Sequence, residues 1–261
     1  MKATVIIATL LLLAVTLLAL PNNQANLKLH QQEITIKTSD NLNLYAWLTP
    51  SPDKHAPLYV LLPMMGRTHT NYNNFIKALY NKLTPSDTGK KIIHLIPNIL
   101  TFDLRGHGKS TTLGNSTIGF RSMSPKDFQK YPHDVQEMIT YILNDTTYNM
   151  DNNNIVIIGA SIGANTAIMV PPLVKNVKKV VMLSPGENYR SLEPAGYLKN
   201  YQGKVLICAS EEDGYASESS KALAKLNKNC TLKIYPGSNH GTNIIDNIPD
   251  AMEYLLNWLW E

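Results

Sequence analysis

Five short, nearly unbroken apolar runs constrain this chain more than any other feature: Leu58–Leu62, Ile99–Leu104, Ile155–Ile158, Val180–Leu183 and Val205–Ala209. A strand with one wet face alternates apolar and polar residues. Runs this short and continuous fit strands covered on both faces, and so a parallel sheet between two layers of helices. The helices are legible between the runs. Tyr72, Phe75, Ile76, Leu79 and Leu83 recur at helical spacing, as do Val135, Met138, Ile139 and Ile142, and finally Met252, Leu255, Leu256 and Leu259. Such stripes are core packing. Ahead of them, Gln32–Lys37 and Leu42–Leu48 alternate and are separated by Ser39-Asp40-Asn41, which predicts an antiparallel hairpin at a sheet edge. The expectation is an α/β fold over residues 26–261: a doubly wound, mostly parallel sheet with an antiparallel N-terminal hairpin.

Two segments stand outside that pattern. Lys2 precedes an uncharged run from Ala3 to Leu20, closed by Pro21. A positive start and an apolar stretch form an export leader, assigned here to residues 1–25. The run is also long enough for a short membrane anchor, so cleaved signal and uncleaved anchor both stand. In either case Lys2 stays inside and the domain is exported: periplasmic, secreted or anchored facing outward. The second segment, Thr84 to Asn98, exceeds the usual connection of two to six residues. An extra strand, a helical turn and a surface flap all fit it.

Charge and cysteines exclude some functions. The net charge is +4, and no basic block exceeds the pairs Lys90-Lys91 and Lys178-Lys179. A nucleic-acid surface shows a clustered basic stripe, so no nucleic-acid partner is expected. Cys208 and Cys230 are read onto neighbouring parallel strands, four residues out of step. At ~3.3 Å per residue they stand about 13 Å apart, beyond the ~7 Å reach of a disulfide. Two buried thiols are expected.

Gly159-Ala160-Ser161-Ile162-Gly163 follows an apolar strand and opens a small-residue segment, Ala164 to Val170. This is G-x-S-x-G in strand–turn–helix context, which lifts the serine hydroxyl above the sheet. A glycine-rich structural turn is the bland alternative. Serine is a weak nucleophile and needs a base. Of the seven histidines, His240 alone sits in a loop after the last strand, in Pro236-Gly237-Ser238-Asn239-His240-Gly241. The orienting acid falls after Val205–Ala209, in Ser210-Glu211-Glu212-Asp213-Gly214. Asp213 is the choice, with Glu212 and then Glu187 behind it. Backbone amides of Ile162 and, in the loop Pro63-Met64-Met65-Gly66-Arg67, of Met65 are assigned to hold a developing oxyanion.

With these residues in place, the chain resembles the α/β-hydrolase superfamily from the leader onward. It is most similar to the dienelactone-hydrolase-like and serine-aminopeptidase-like bacterial branch. Asp103-Leu104-Arg105-Gly106-His107-Gly108-Lys109-Ser110 matches the family's D-x-R-G-H-G-x-S segment, and Leu183-Ser184-Pro185-Gly186 also looks like that branch. The resemblance implies a structural role for the octapeptide, so His107 is not the base. Two departures are visible. Pro63-Met64 replaces the family's frequent His-Gly, and only Gly186 to Lys204 fills the place where many relatives insert a helical cap. A minimal cap is therefore expected, over an open pocket or one covered by small loops such as Tyr189 to Tyr201.

The function expected is a serine hydrolase of carboxylesterase type. Ser161, Asp213 and His240 would cleave an ester or related acyl bond of a small-molecule substrate, without cofactor or metal. An amidase or peptidase would use the same residues, and a non-catalytic binding protein on this fold is the rival class. A zinc hydrolase would need spacing such as H-E-x-x-H, which does not occur. Oligomeric state is not written in the sequence, and a membrane is expected only through the possible anchor.

Overall fold

A computed structural model describes residues 31–53, 55–83, 95–148 and 150–261. The leader assigned to 1–25, and most of the connection 84–98, lie outside the described residues. In chain order the elements are β1 (Gln32–Lys37), β2 (Asn43–Thr49), β3 (Leu58–Leu62), a 3-10 turn (His69–Tyr72), α1 (Asn73–Leu83) and β4 (Asn98–Asp103). A small hairpin follows, β5 (Thr112–Leu113) and β6 (Ser116–Thr117), then α2 (Pro125–Phe128) and α3 (Tyr131–Asn144). The second half runs β7 (Ile155–Ala160), α4 (Ile162–Met169), β8 (Val177–Leu183), α5 (Ala195–Asn200), β9 (Lys204–Ser210) and α6 (Gly214–Ala224). It ends with β10 (Cys230–Tyr235), α7 (Asn243–Asn247) and α8 (Pro249–Trp260).

Eight strands form one sheet in the order β1-β2-β4-β3-β7-β8-β9-β10. The opening hairpin pairs Gln32 with Leu48 and Lys37 with Asn43. From β4 to β10 every neighbouring pair is parallel, while β2 meets β4 antiparallel. The apolar runs behave as two-faced strands. In β3, Leu58, Val60 and Leu62 join one core with α3 and α4. Tyr59 and Leu61 join the other, with α1, α7 and α8. Alternate side chains thus serve opposite layers, which is why the run contains no polar residue. α4 is buried along its whole length, which accounts for its small, apolar sequence. Among the described residues no helix is long and apolar enough to cross a membrane.

The strand order reverses between β3 and β7. The chain leaves β3 for β4 on one side and returns to β7 on the other, opening a crevice beyond the carboxyl ends of the parallel strands, where open α/β sheets bind ligands. The connection from β8 to β9 holds one short helix, α5, so the cap is minimal. The cysteines differ slightly from expectation. Cys230 pairs in register with Val205, three residues from Cys208 rather than four. Both thiols are free, but only Cys208 is buried; Cys230 begins an edge strand covered on one side, and is half-buried.

Candidate active site

The turn after β7 places Ser161 at the crevice with φ 53° and ψ −119°, a conformation costly for a residue with a side chain. Its N–H donates to Leu183 O at 2.8 Å, and its carbonyl accepts the Ala164 N–H at 2.9 Å. The strain is held by close packing that only glycine permits. A Cβ on Gly159 would collide with the backbone of Gly163, and one on Gly163 would stand 2.6 Å from Pro63 O. The glycines of the pentapeptide therefore let α4 close on β7 and on the loop after β3.

Asp213 starts α6 beyond β9, and His240 lies beyond β10. His240 Nδ1 meets Asp213 Oδ2 at 2.8 Å and Oδ1 at 3.0 Å. A carboxylate can only accept, so Nδ1 carries the proton and Nε2 of the neutral ring is bare. The two loops are also joined through backbone: Glu211 N–H donates to Tyr235 O at 2.8 Å, and Glu212 N–H to Gly237 O at 2.9 Å. The side chains of Glu212 and Glu187 are exposed, and neither bonds the imidazole.

No hydrogen bond joins the Ser161 hydroxyl to His240; their loops are brought together by packing one residue away. A Cβ on Gly241 would stand 3.4 Å from the Cβ of Ala160 and would collide with Met64. The backbone beside His240 therefore rests on the residue before Ser161 and on the loop after β3.

In that loop the amides of Met64 and Arg67 are committed and that of Met65 is open. Met64 N–H donates to Asn71 Oδ1 at 3.0 Å, and Met64 O accepts the Arg67 N–H at 3.1 Å. Among the described residues no acceptor meets the N–H of Met65 or of Ile162. Gly66, at φ 76°, makes the turn. Asn71 then donates from Nδ2 to Thr242 Oγ1 at 2.9 Å, tying this loop to the histidine loop.

Four contributors escaped sequence reasoning. Asn71 and Thr242 form the tie just described. Ser184 donates to Asp213 Oδ2 at 2.7 Å and accepts the Gly241 N–H at 2.9 Å. Asn165, buried on α4, donates to Gly186 O and Leu192 O at 2.8 Å and accepts the Gly186 N–H at 3.0 Å, which holds the loop covering the site. On that loop the Tyr189 ring stands edge-on to Tyr215 at 5.7 Å. Of these, only Ser184 lay in a motif that could have drawn notice.

The octapeptide after β4 is a buttress. Buried Arg105 donates from Nε and Nη2 to Asp134 at 2.8 and 2.6 Å, and from Nη1 and Nη2 to Asp40 at 2.8 and 2.9 Å. His107 Nδ1 lies 3.0 Å from Arg105 O, its ring stacks on Phe120 at 4.5 Å, and burial lowers its pKa. A Cβ on Gly108 would strike the Asp103 carboxylate. A cavity of about 780 Å³, lined by Pro171, Pro172, Tyr197 and Tyr201, opens beside the amino ends of β8 and β9, at the opposite end of the strands from Ser161. It holds none of the residues of the candidate site.

Comparison with known proteins agrees with this architecture. A family model described as BD-FAE matches residues 115–182, which include β7, the Ser161 turn and α4. The chain is similar to the esterase Pf2001 of Pyrococcus furiosus, with a TM-score of 0.67, 16% identity, and 89% of this chain and 92% of that one covered. It is also similar to a predicted CIB-like hydrolase of Thermoplasma acidophilum (TM-score 0.59, 20% identity, coverage 88% and 97%). A dienelactone hydrolase of Anabaena variabilis gives a TM-score of 0.61 at 12% identity, over 87% and 94%. Among curated proteins the sequence finds no match. At these identities the shared property is the overall architecture alone. In fold, therefore, the chain belongs with the α/β-hydrolases.

Proposed function

We propose that this chain is a serine hydrolase that cleaves a carboxylic ester or related acyl bond through an acyl-enzyme. The observation that carries this is the Asp213–His240 pair, at 2.8 Å, on loops packed against the strained Ser161 turn. Esterases among the structures of similar fold lend support.

In the proposed reaction Ser161 Oγ attacks the acyl carbon while His240 Nε2 takes its proton. Asp213 holds Nδ1–H and stabilises the resulting cation. The oxygen that becomes negative lies toward the amides of Met65 and Ile162, which meet no acceptor among the described residues and act as preorganised donors. Collapse breaks the bond to the alcohol, which leaves with the proton from His240. Water then attacks the acyl group, giving its proton to the same nitrogen, and Ser161 regains its hydrogen as the acid departs. Among the described residues the small loop around Tyr189 covers the site, and the substrate enters from its open side. The leader of residues 1–25 adds export of the domain, which fractionation of cells producing the full chain would test.

A fluorophosphonate probe tests the nucleophile directly. Labelling of wild type, lost in Ser161→Ala, is expected. A folded wild type that takes no label would count against the mechanism, and equal labelling of the variant would move the nucleophile elsewhere.

A further inference from the structure

Ser184 follows β8 and stands between the acid and the base. Its N–H donates to Cys208 O at 2.7 Å on the neighbouring strand, its backbone is held at φ 52°, and the residue is fully buried. A hydroxyl has one proton to give and lone pairs to receive, and here both are assigned by the neighbours. Asp213 Oδ2, at 2.7 Å, can only accept. The Gly241 N–H, at 2.9 Å, can only donate. Asp213 Oδ2 is also the oxygen nearer to His240 Nδ1, at 2.8 Å.

We infer that Ser184 is a positioning residue for the Asp213–His240 pair. Its hydroxyl fixes the rotation of the Asp213 carboxylate from one side and the backbone next to His240 from the other. The inference rests on the hydrolase proposed above, and gives Ser184 work that neither packing nor backbone geometry explains. A residue chosen for backbone geometry at a buried position in the left-handed region would be glycine. Glycine or alanine would leave the Gly241 N–H without an acceptor and Asp213 with one donor fewer. With the hydroxyl present, Oδ2 is shared between two donors, so part of its charge is drawn away from the imidazole. Without it, more charge faces Nδ1–H, and the imidazolium is favoured. The Tyr189 phenol also interacts with Asp213, and burial raises its pKa. That phenol stays neutral through the range in which an imidazole titrates.

The test uses Ser184→Ala and Ser184→Gly in the full chain. The glycine variant removes the hydroxyl while relaxing the backbone, so misfolding does not obscure it. Both should lose about tenfold to a hundredfold in kcat, as expected for a misplaced catalytic pair, with KM changed by less than about threefold. In ¹⁵N-histidine NMR titrations, with the His240 signal assigned by its loss in His240→Ala, the His240 pKa should rise in both variants. Wild-type kcat together with an unmoved His240 titration overturns the inference. A lower kcat and lower Tm with the titration unmoved also overturns it, because Ser184 would then be structural alone. Absence of acyl turnover in the wild type would defeat the hydrolase proposal, while the titration would still decide whether Ser184 governs the pair.

Discussion

Among the described residues two aspartate–histidine pairs lie at the carboxyl ends of the parallel strands, and their surroundings differ. His69 Nδ1 lies 2.9 Å from Asp103 Oδ1, nearly the distance between His240 and Asp213. Asp103 is buried and saturated: it also accepts the backbone N–H groups of His69 and Lys109, both at 2.8 Å. The His69 ring lies flat on Trp47, with centroids 3.4 Å apart. Its carboxylate closes a loop and its imidazole is a packing element. Asp213 is bonded by Ser184 and His240 side chains, and the His240 ring is 37% exposed, beside a strained serine turn. An aspartate–histidine contact is therefore not a catalytic signature. What separates the two is the strained Ser161 turn packed beside the His240 loop.

The largest expected effect breaks the pairs apart by activity. His240→Ala should lower kcat on p-nitrophenyl esters by about 10⁴-fold or more, whereas His69→Ala should leave it within about threefold. Equal losses would erase the distinction. Next come the acids. Asp213→Asn is expected to cost roughly 10²- to 10⁴-fold in kcat with little change in Tm, by presenting the wrong tautomer of His240. Asp103→Asn should act the other way, removing about 2–4 kcal/mol of stability in urea unfolding, since a buried acceptor of several hydrogen bonds is lost. The smallest effect sharpens the structural side. The Arg105 hydrogen bond, aided by Lys130 and Thr38, holds the Asp40 carboxyl well below the usual carboxylate range, against the opposing pull of burial. Its native pKa is lower than its unfolded value of about 3.9. The bond therefore stabilises fully above that value, and the benefit disappears as pH falls through the native pKa. Asp40→Asn should cost about 1–3 kcal/mol at pH 7, and the gap to wild type should shrink below about pH 4. A gap constant down to pH 2 would assign the cost to packing.

How much of this was legible depended on distance along the chain. The parallel sheet was readable because each apolar run faces two cores, a local property of consecutive residues such as Leu58–Leu62. The opening hairpin was readable from alternation. The pentapeptide around Ser161 announced its turn because the glycines that allow close approach lie within it. Ties that join remote segments carried no such sign. Asn71 reaches Thr242 across most of the chain, and an asparagine in a loop has many ordinary uses. Nothing in the sequence marks His69, because its partner Asp103 lies 34 residues on, at the end of β4. Cys230 was placed correctly on a strand, but its exposure depends on β10 being at the sheet's edge, which spacing does not reveal.

β10 is the last strand in the chain as well as the outermost in the sheet, and His240 hangs from its end. A ribosome therefore delivers the serine turn, the loop after β3 and the acid before it delivers the base. Until that final edge strand docks beside β9, the nascent domain lacks the imidazole to which the proposed reaction assigns the Ser161 proton. Any truncation before β10 leaves most of the sheet and none of the proposed chemistry.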